Sequence, residues 1–94
     1  MFEFDPAKSR ANRAKHGLDF IEAQKLWEEP TLAFSSPHSE EPRTVVVGLI
    51  NEKFWSAIIT YRHEKIRIIS VRRSRQSEIR RWQDHHQPGR QTDD

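Results

Sequence analysis

The sequence predicts an α+β domain on three observations. Apolar residues recur at helical spacing up to Pro30, alternate with period two between Thr31 and Arg73, and return to helical spacing after Ser74. A chain of 94 residues has room for one core, which is expected to span residues 1–87, with 88–94 a disordered tail. Two N-terminal helices and one C-terminal helix are therefore expected to pack on one face of a twisted antiparallel sheet of three to five strands.

Phe2-Glu3-Phe4 reads as a short strand, and Asp5-Pro6 as the N-cap and first turn of a helix running to His16. Ala7, Ala11 and Ala14 mark a small-residue seam on that helix, and Gly17 supplies a left-handed C-cap before Leu18. Asp19 and Glu22 have capping-box spacing, so a second helix is expected, with Phe20, Ala23, Leu26 and Trp27 inward and Pro30 ending it. Thr31 to Phe34 is a short strand candidate, and Ser35 to Pro42 is a loop.

Arg43 to Ile50 is a Val/Ile-rich strand, which Asn51-Glu52-Lys53 turns into Phe54 to Arg62. Alternation places Trp55, Ala57, Ile59 and Tyr61 on the core side and Phe54, Ser56, Ile58, Thr60 and Arg62 on the other. His63-Glu64-Lys65 connects to Ile66 to Arg73, where strict alternation points Arg67 and Arg73 one way and Ser70 and Arg72 the other. Ser74 or Ser77 caps a final helix with Ile79 and Trp82 inward, which Pro88-Gly89 ends.

The composition excludes several classes of function. With no cysteine, the chain has no disulfide scaffold, thiolate zinc site or cysteine nucleophile. No apolar run approaches the roughly 18 residues of a membrane span, so no membrane partner is expected, and a cytoplasmic location fits. The five histidines show no supported metal spacing, so neither metal nor other cofactor is expected. Charge is more informative. Residues 1–52 hold six Lys/Arg against nine Asp/Glu, whereas residues 53–94 hold ten against five. Most of that excess is arginine between Arg62 and Arg81, and a polyanion is the partner such a cluster suits.

Within the cluster, Arg62 and Arg72 fall on neighbouring strands and could clamp a phosphate, the bland alternative being that Arg72 or Arg73 simply solvates the strand end. Glu78, in the first turn of the last helix, either orients arginines or acts as a general base. His16, beside Lys15 at a helix C-terminus, either bonds the last carbonyls or transfers protons. Asp5 is read as a cap, His85 and His86 as solvated, and Trp27, Trp55 and Trp82 as core.

The run Phe2-Glu3-Phe4-Asp5-Pro6-Ala7-Lys8 with Asn12, Lys15-His16-Gly17-Leu18, Phe20 and Ala23 resembles the start of the BrnT family of bacterial type II toxins. Arg67-Ile68-Ile69-Ser70-Val71-Arg72, followed by Glu78 and Trp82, resembles the family's second hallmark. This resemblance implies a small ribonuclease with a RelE-like fold. Its partners would be an RNA substrate, a ribbon-helix-helix antitoxin that wraps it, and operator DNA reached only through that antitoxin. The family's arginines fall here on Arg62, Arg67 and Arg72 and its acidic residue on Glu78, while Val71, Arg73 and Ser74 depart from the pattern.

Combined with that resemblance, the residues suit a metal-independent endoribonuclease in which the RNA 2′-hydroxyl attacks the adjacent phosphate. His16, Arg62, Arg72 and Glu78 are its candidate catalytic residues, and Lys15, Arg67, Arg73, Arg75 and Arg81 its candidate RNA contacts. The rival readings are a non-catalytic nucleic-acid or protein-binding module and an inactive toxin homologue acting in operon repression.

Overall fold

Asp5 and Gly17 frame the first helix as their chemistry predicts. In the computed structural model, which describes residues 1–37 and 41–86, strand β1 (Phe2–Glu3) leads into helix α1 (Pro6–His16). The Asp5 carboxylate accepts the Ala7 N–H at 2.9 Å, and Gly17 adopts φ 88° while its N–H bonds the Arg13 carbonyl. A 3-10 helix (Glu22–Glu28), β2 (Leu32–Ser36), β3 (Arg43–Ile50), β4 (Lys53–Arg62), β5 (Lys65–Arg73) and helix α2 (Gln76–His85) follow. His38 and the expected tail at 88–94 lie outside the described residues.

The architecture is α+β, with strands in the order β1-β5-β4-β3-β2. Two features differ from the expected layout. The sheet is mixed, because β1 returns through α1 and the intervening strands to pair parallel with β5. The helices also occupy both faces. Leu26 of the 3-10 helix packs over Gly48, on the face shared by Ala57 and Ile59, whereas Glu78 of α2 bonds Ser56, which alternation turns to the opposite face. A Cβ on Gly48 would meet Leu26 Cδ2 at 3.0 Å and Thr31 Cγ2 at 3.2 Å, so a larger residue here would require those side chains to shift.

The main core lies between α1, the 3-10 helix and the first of these faces, around Phe20, Leu26, Val46, Ile59, Ile68 and Val71. The predicted second helix forms as a 3-10 helix. Asp19 accepts the Glu22 N–H at 2.8 Å, but the N-cap position itself falls on Ile21, which makes no side-chain cap bond.

The alanine seam of α1 is exposed, and the helix instead buries Ser9 and Asn12. Polar residues face inward because they satisfy backbone groups: Ser9 Oγ accepts the Phe20 N–H, and Asn12 bonds the Leu18 carbonyl and both backbone groups of Val71. Asn12 thus substitutes for a neighbouring strand where β5 runs on past its short pairing with β1.

β5 breaks the strict alternation. Ile59 pairs with Ile68 and Ile58 with Ser70, leaving Ile69 as an extra residue in a bulge. Ile68 and Val71 consequently both reach the core despite being three apart. Arg67 is thereby moved to the face of Ser70 and Arg72, and Arg73 alone remains opposite, over the Trp55 ring. Tyr61, expected inside, is 62% exposed because the core ends before the hairpin tip. The last helix begins at Arg75, not at a serine cap, and Trp82 is half-buried against Phe54 with its Nε1–H donated to the Pro30 carbonyl. His86, expected to be solvated, is half-buried against Trp82 and bonds the Thr31 carbonyl.

Candidate active site

Register across the sheet brings the candidate site together. One cross-strand row runs Leu32, Val47, Ser56, Arg72, and the next runs Phe34, Val45, Ile58, Ser70. Glu78 of α2 sits over the first row. Its Oε1 accepts from Ser56 Oγ at 2.8 Å, Arg72 Nη1 at 2.9 Å and the Arg75 N–H at 2.8 Å, and its Oε2 accepts from Arg72 Nη2 at 2.8 Å. The Arg72–Glu78 pair is therefore bidentate, the geometry in which a guanidinium is most firmly oriented. Ser56 has already donated its proton to Glu78, so Ser74 must donate across the 2.7 Å contact to Ser56. Ser74 stands one residue before Arg75, the N-cap of α2, and is therefore outside the cap position.

Burial alone would raise the Glu78 carboxyl, but the hydrogen bonds from Arg72, the Arg75 N–H and Ser56, with the charge of Arg72, hold it down at about 2. The carboxylate raises the Arg72 guanidinium in return, chiefly through their hydrogen bonds. Near neutral pH this is a fixed ion pair. Glu78 is a poor proton acceptor and a strong orienting group. Three of the five N–H donors of Arg72 are engaged, two by Glu78 and one by the Arg73 carbonyl.

Beside this pair opens a cleft of about 330 Å³. Val45 and Ile58 pair across its floor, Phe34, Ser35 and Ser36 of β2 line one wall, and Arg72, Arg75 and Glu78 the other. Arg43 also lines it, and its buried Nε has no hydrogen-bond partner among the described residues. Arg81 lies 3.9 Å over the ring of Phe34 at the β2 side.

Of the sequence candidates, Arg72, Glu78 and Arg75 meet in this cleft. Arg67 shares their face and pairs with Glu3 at 3.5 Å. Arg62 does not form a clamp with Arg72. It pairs with Lys65 at the hairpin tip while Arg72 pairs with Ser56, six residues back along β4, or roughly 20 Å at strand rise. Arg73 is on the other face. Lys15 and His16 line a different groove of about 310 Å³ between α1 and β5, with Ile69 and Ser70. Among the described residues, no three His, Cys, Asp or Glu side chains gather as a metal-binding group.

Sequence reasoning missed Arg43, Ser56 and Phe34. A signal existed for Arg43, which stands two residues before Val45 and so shares its face at the start of an apolar strand. The family model described as BrnT, ribonuclease toxin of type II toxin-antitoxin system, matches residues 4–78. A search of curated proteins finds no match to the chain.

Proposed function

The chain belongs to the BrnT family, the ribonuclease toxins of type II toxin-antitoxin systems, and from that premise we propose that it is a metal-independent endoribonuclease working in the arginine cleft. Attack of the 2′-oxygen on phosphorus, its proton passing to water, with departure of the 5′-oxygen, which takes a proton from water, leaves a 2′,3′-cyclic phosphate and a 5′-hydroxyl. The phosphorane between them carries two negative charges, which fixed guanidiniums stabilise without reorganising.

Arg72 takes that role, and Glu78 is its positioning residue. Arg75, Arg81 and Arg67 hold flanking phosphates. Lys15 and His16 contact RNA in the groove beyond Ser70, and Arg62 and Arg73 meet it only outside the cleft. Orientation and charge carry the reaction, since Glu78, the one carboxylate among the described residues lining the cleft, is already ionised and bonded. The fold is read as RelE-like, the location as cytoplasmic, and the neutralising partner as a ribbon-helix-helix antitoxin that brings the pair to operator DNA.

The observation that carries this reading is the bidentate Arg72–Glu78 pair on the wall of an open, arginine-rich cleft. Incubation of the purified protein with RNA in excess EDTA tests it. Cleavage should survive chelation and fall at least a hundredfold in Arg72→Ala, the scale of a lost charge-stabilising donor. A second reading, binding without cleavage, draws on the saturated Glu78 carboxylate. Intact RNA with salt-dependent retention by the wild type would establish that reading and discard the nuclease.

A further inference from the structure

We propose that Arg43 is the residue that receives the phosphate of an RNA phosphodiester in the cleft. Guanidinium has five donors and no acceptor, and it stays charged at any working pH. The buried Nε–H of Arg43 has no partner among the described residues, an arrangement that is costly for a charged group until an acceptor arrives. The neighbouring arginines do not relieve it. Arg72 is already paired with Glu78, so among the described lining residues Arg43 and Arg75 are left without a carboxylate in the cleft wall.

Position favours the same ligand. Arg43 begins β3, pairs with Ser36 of β2, and is followed on the same face by buried Val45, so its backbone is held in the sheet. Donors thus approach from β3, from β5 and from the start of α2. Convergence from separate elements suits the tetrahedral oxygens of phosphate better than the planar pair of a carboxylate. That the phosphate belongs to RNA rests on the ribonuclease reading above, whereas the anion site itself follows from the orphaned donor.

Thermal unfolding in inorganic phosphate and in chloride at matched ionic strength tests the site in the wild type, Arg43→Met, Arg43→Lys and, as a charge-loss control, Arg10→Met. Phosphate should raise the midpoint of the wild type and of Arg10→Met. Arg43→Met should unfold at or above the wild-type midpoint in chloride, since an orphaned donor is removed, and should lose the phosphate shift. Arg43→Lys, which keeps the charge without an Nε–H, should lose most of it.

On oligoribonucleotides in EDTA, Arg43→Met should lower kcat/KM by roughly 10- to 100-fold, the effect of one charge-assisted contact. An undiminished phosphate shift in Arg43→Met, a lowered chloride midpoint in both Arg43 variants, or an equal shift with acetate would overturn the assignment. Cleavage lost in Arg72→Ala but intact in Arg43→Met would discard the Arg43 role and leave the nuclease standing. An Arg43-dependent phosphate shift in a protein that cuts no RNA would do the reverse.

Discussion

At the scale of single residues, the dominant fact is that Glu78 is saturated. Its two oxygens accept four hydrogen bonds, from Ser56, Arg75 and twice from Arg72. The sign of its pH effect follows. The carboxyl is held at about 2, below its ordinary 4.5, so its contribution to stability is complete above about 4.5 and disappears as pH falls toward 2. Glu78→Gln should destabilise the protein by about 2 kcal/mol at neutral pH, because it leaves the half-buried Arg72 without its counter-charge. Urea denaturation from pH 7 to pH 2.5 checks this, with the gap between the two proteins expected to narrow with acidification. A constant gap would mean that packing, not charge, holds the carboxylate in place.

At the scale of elements, two devices set where the arginines point. Asn12 closes the edge of β5 through the N–H and carbonyl of Val71 and also bonds the Leu18 carbonyl. Its replacement by Ala would strand several buried groups and should cost about 2–3 kcal/mol in chemical denaturation. A loss under about 0.5 kcal/mol would show that water substitutes for the side chain.

The second device is the β4–β5 hairpin, whose tip residues His63 and Glu64 have φ 52° and 68°. Both occupy the left-handed region that a two-residue turn demands and that glycine enters at little cost. Glu64→Gly should therefore raise stability by about 0.5–1 kcal/mol, read as a higher melting temperature. These elements were partly legible in sequence. Asp5, Gly17 and Pro30 marked their boundaries through local chemistry, but the bulge at Ile69 did not show, because a one-residue slip leaves composition and apolar content unchanged.

At the scale of the molecule, the charge imbalance between the halves of the chain resolves into separate surfaces. Arg43, Arg72 and Arg75 line the cleft, Arg62 stands at the hairpin tip, and Lys15 and His16 line the groove beside α1. An RNA of two or three nucleotides should be cleaved equally by wild type and Arg62→Ala, whereas one long enough to reach the hairpin should bind the variant more weakly and with a shallower salt dependence. Equal loss on both substrates would place Arg62 at the reacting phosphate.

The amino-acid sequence by itself determined the α+β class, the main elements, the absence of thiol chemistry and the excess of arginine in the second half of the chain, since each depends on residue type and local periodicity. Which arginines share a site was decided only by tertiary structure. Face and register depend on one inserted residue in β5, on a parallel return of β1 and on α2 crossing to the far side of the sheet. Arg72 and Glu78 were near enough in sequence to be suspected together, whereas Arg43 and Ser56 join them only through strand pairing between distant segments. Spacing along one strand carries no record of those pairings.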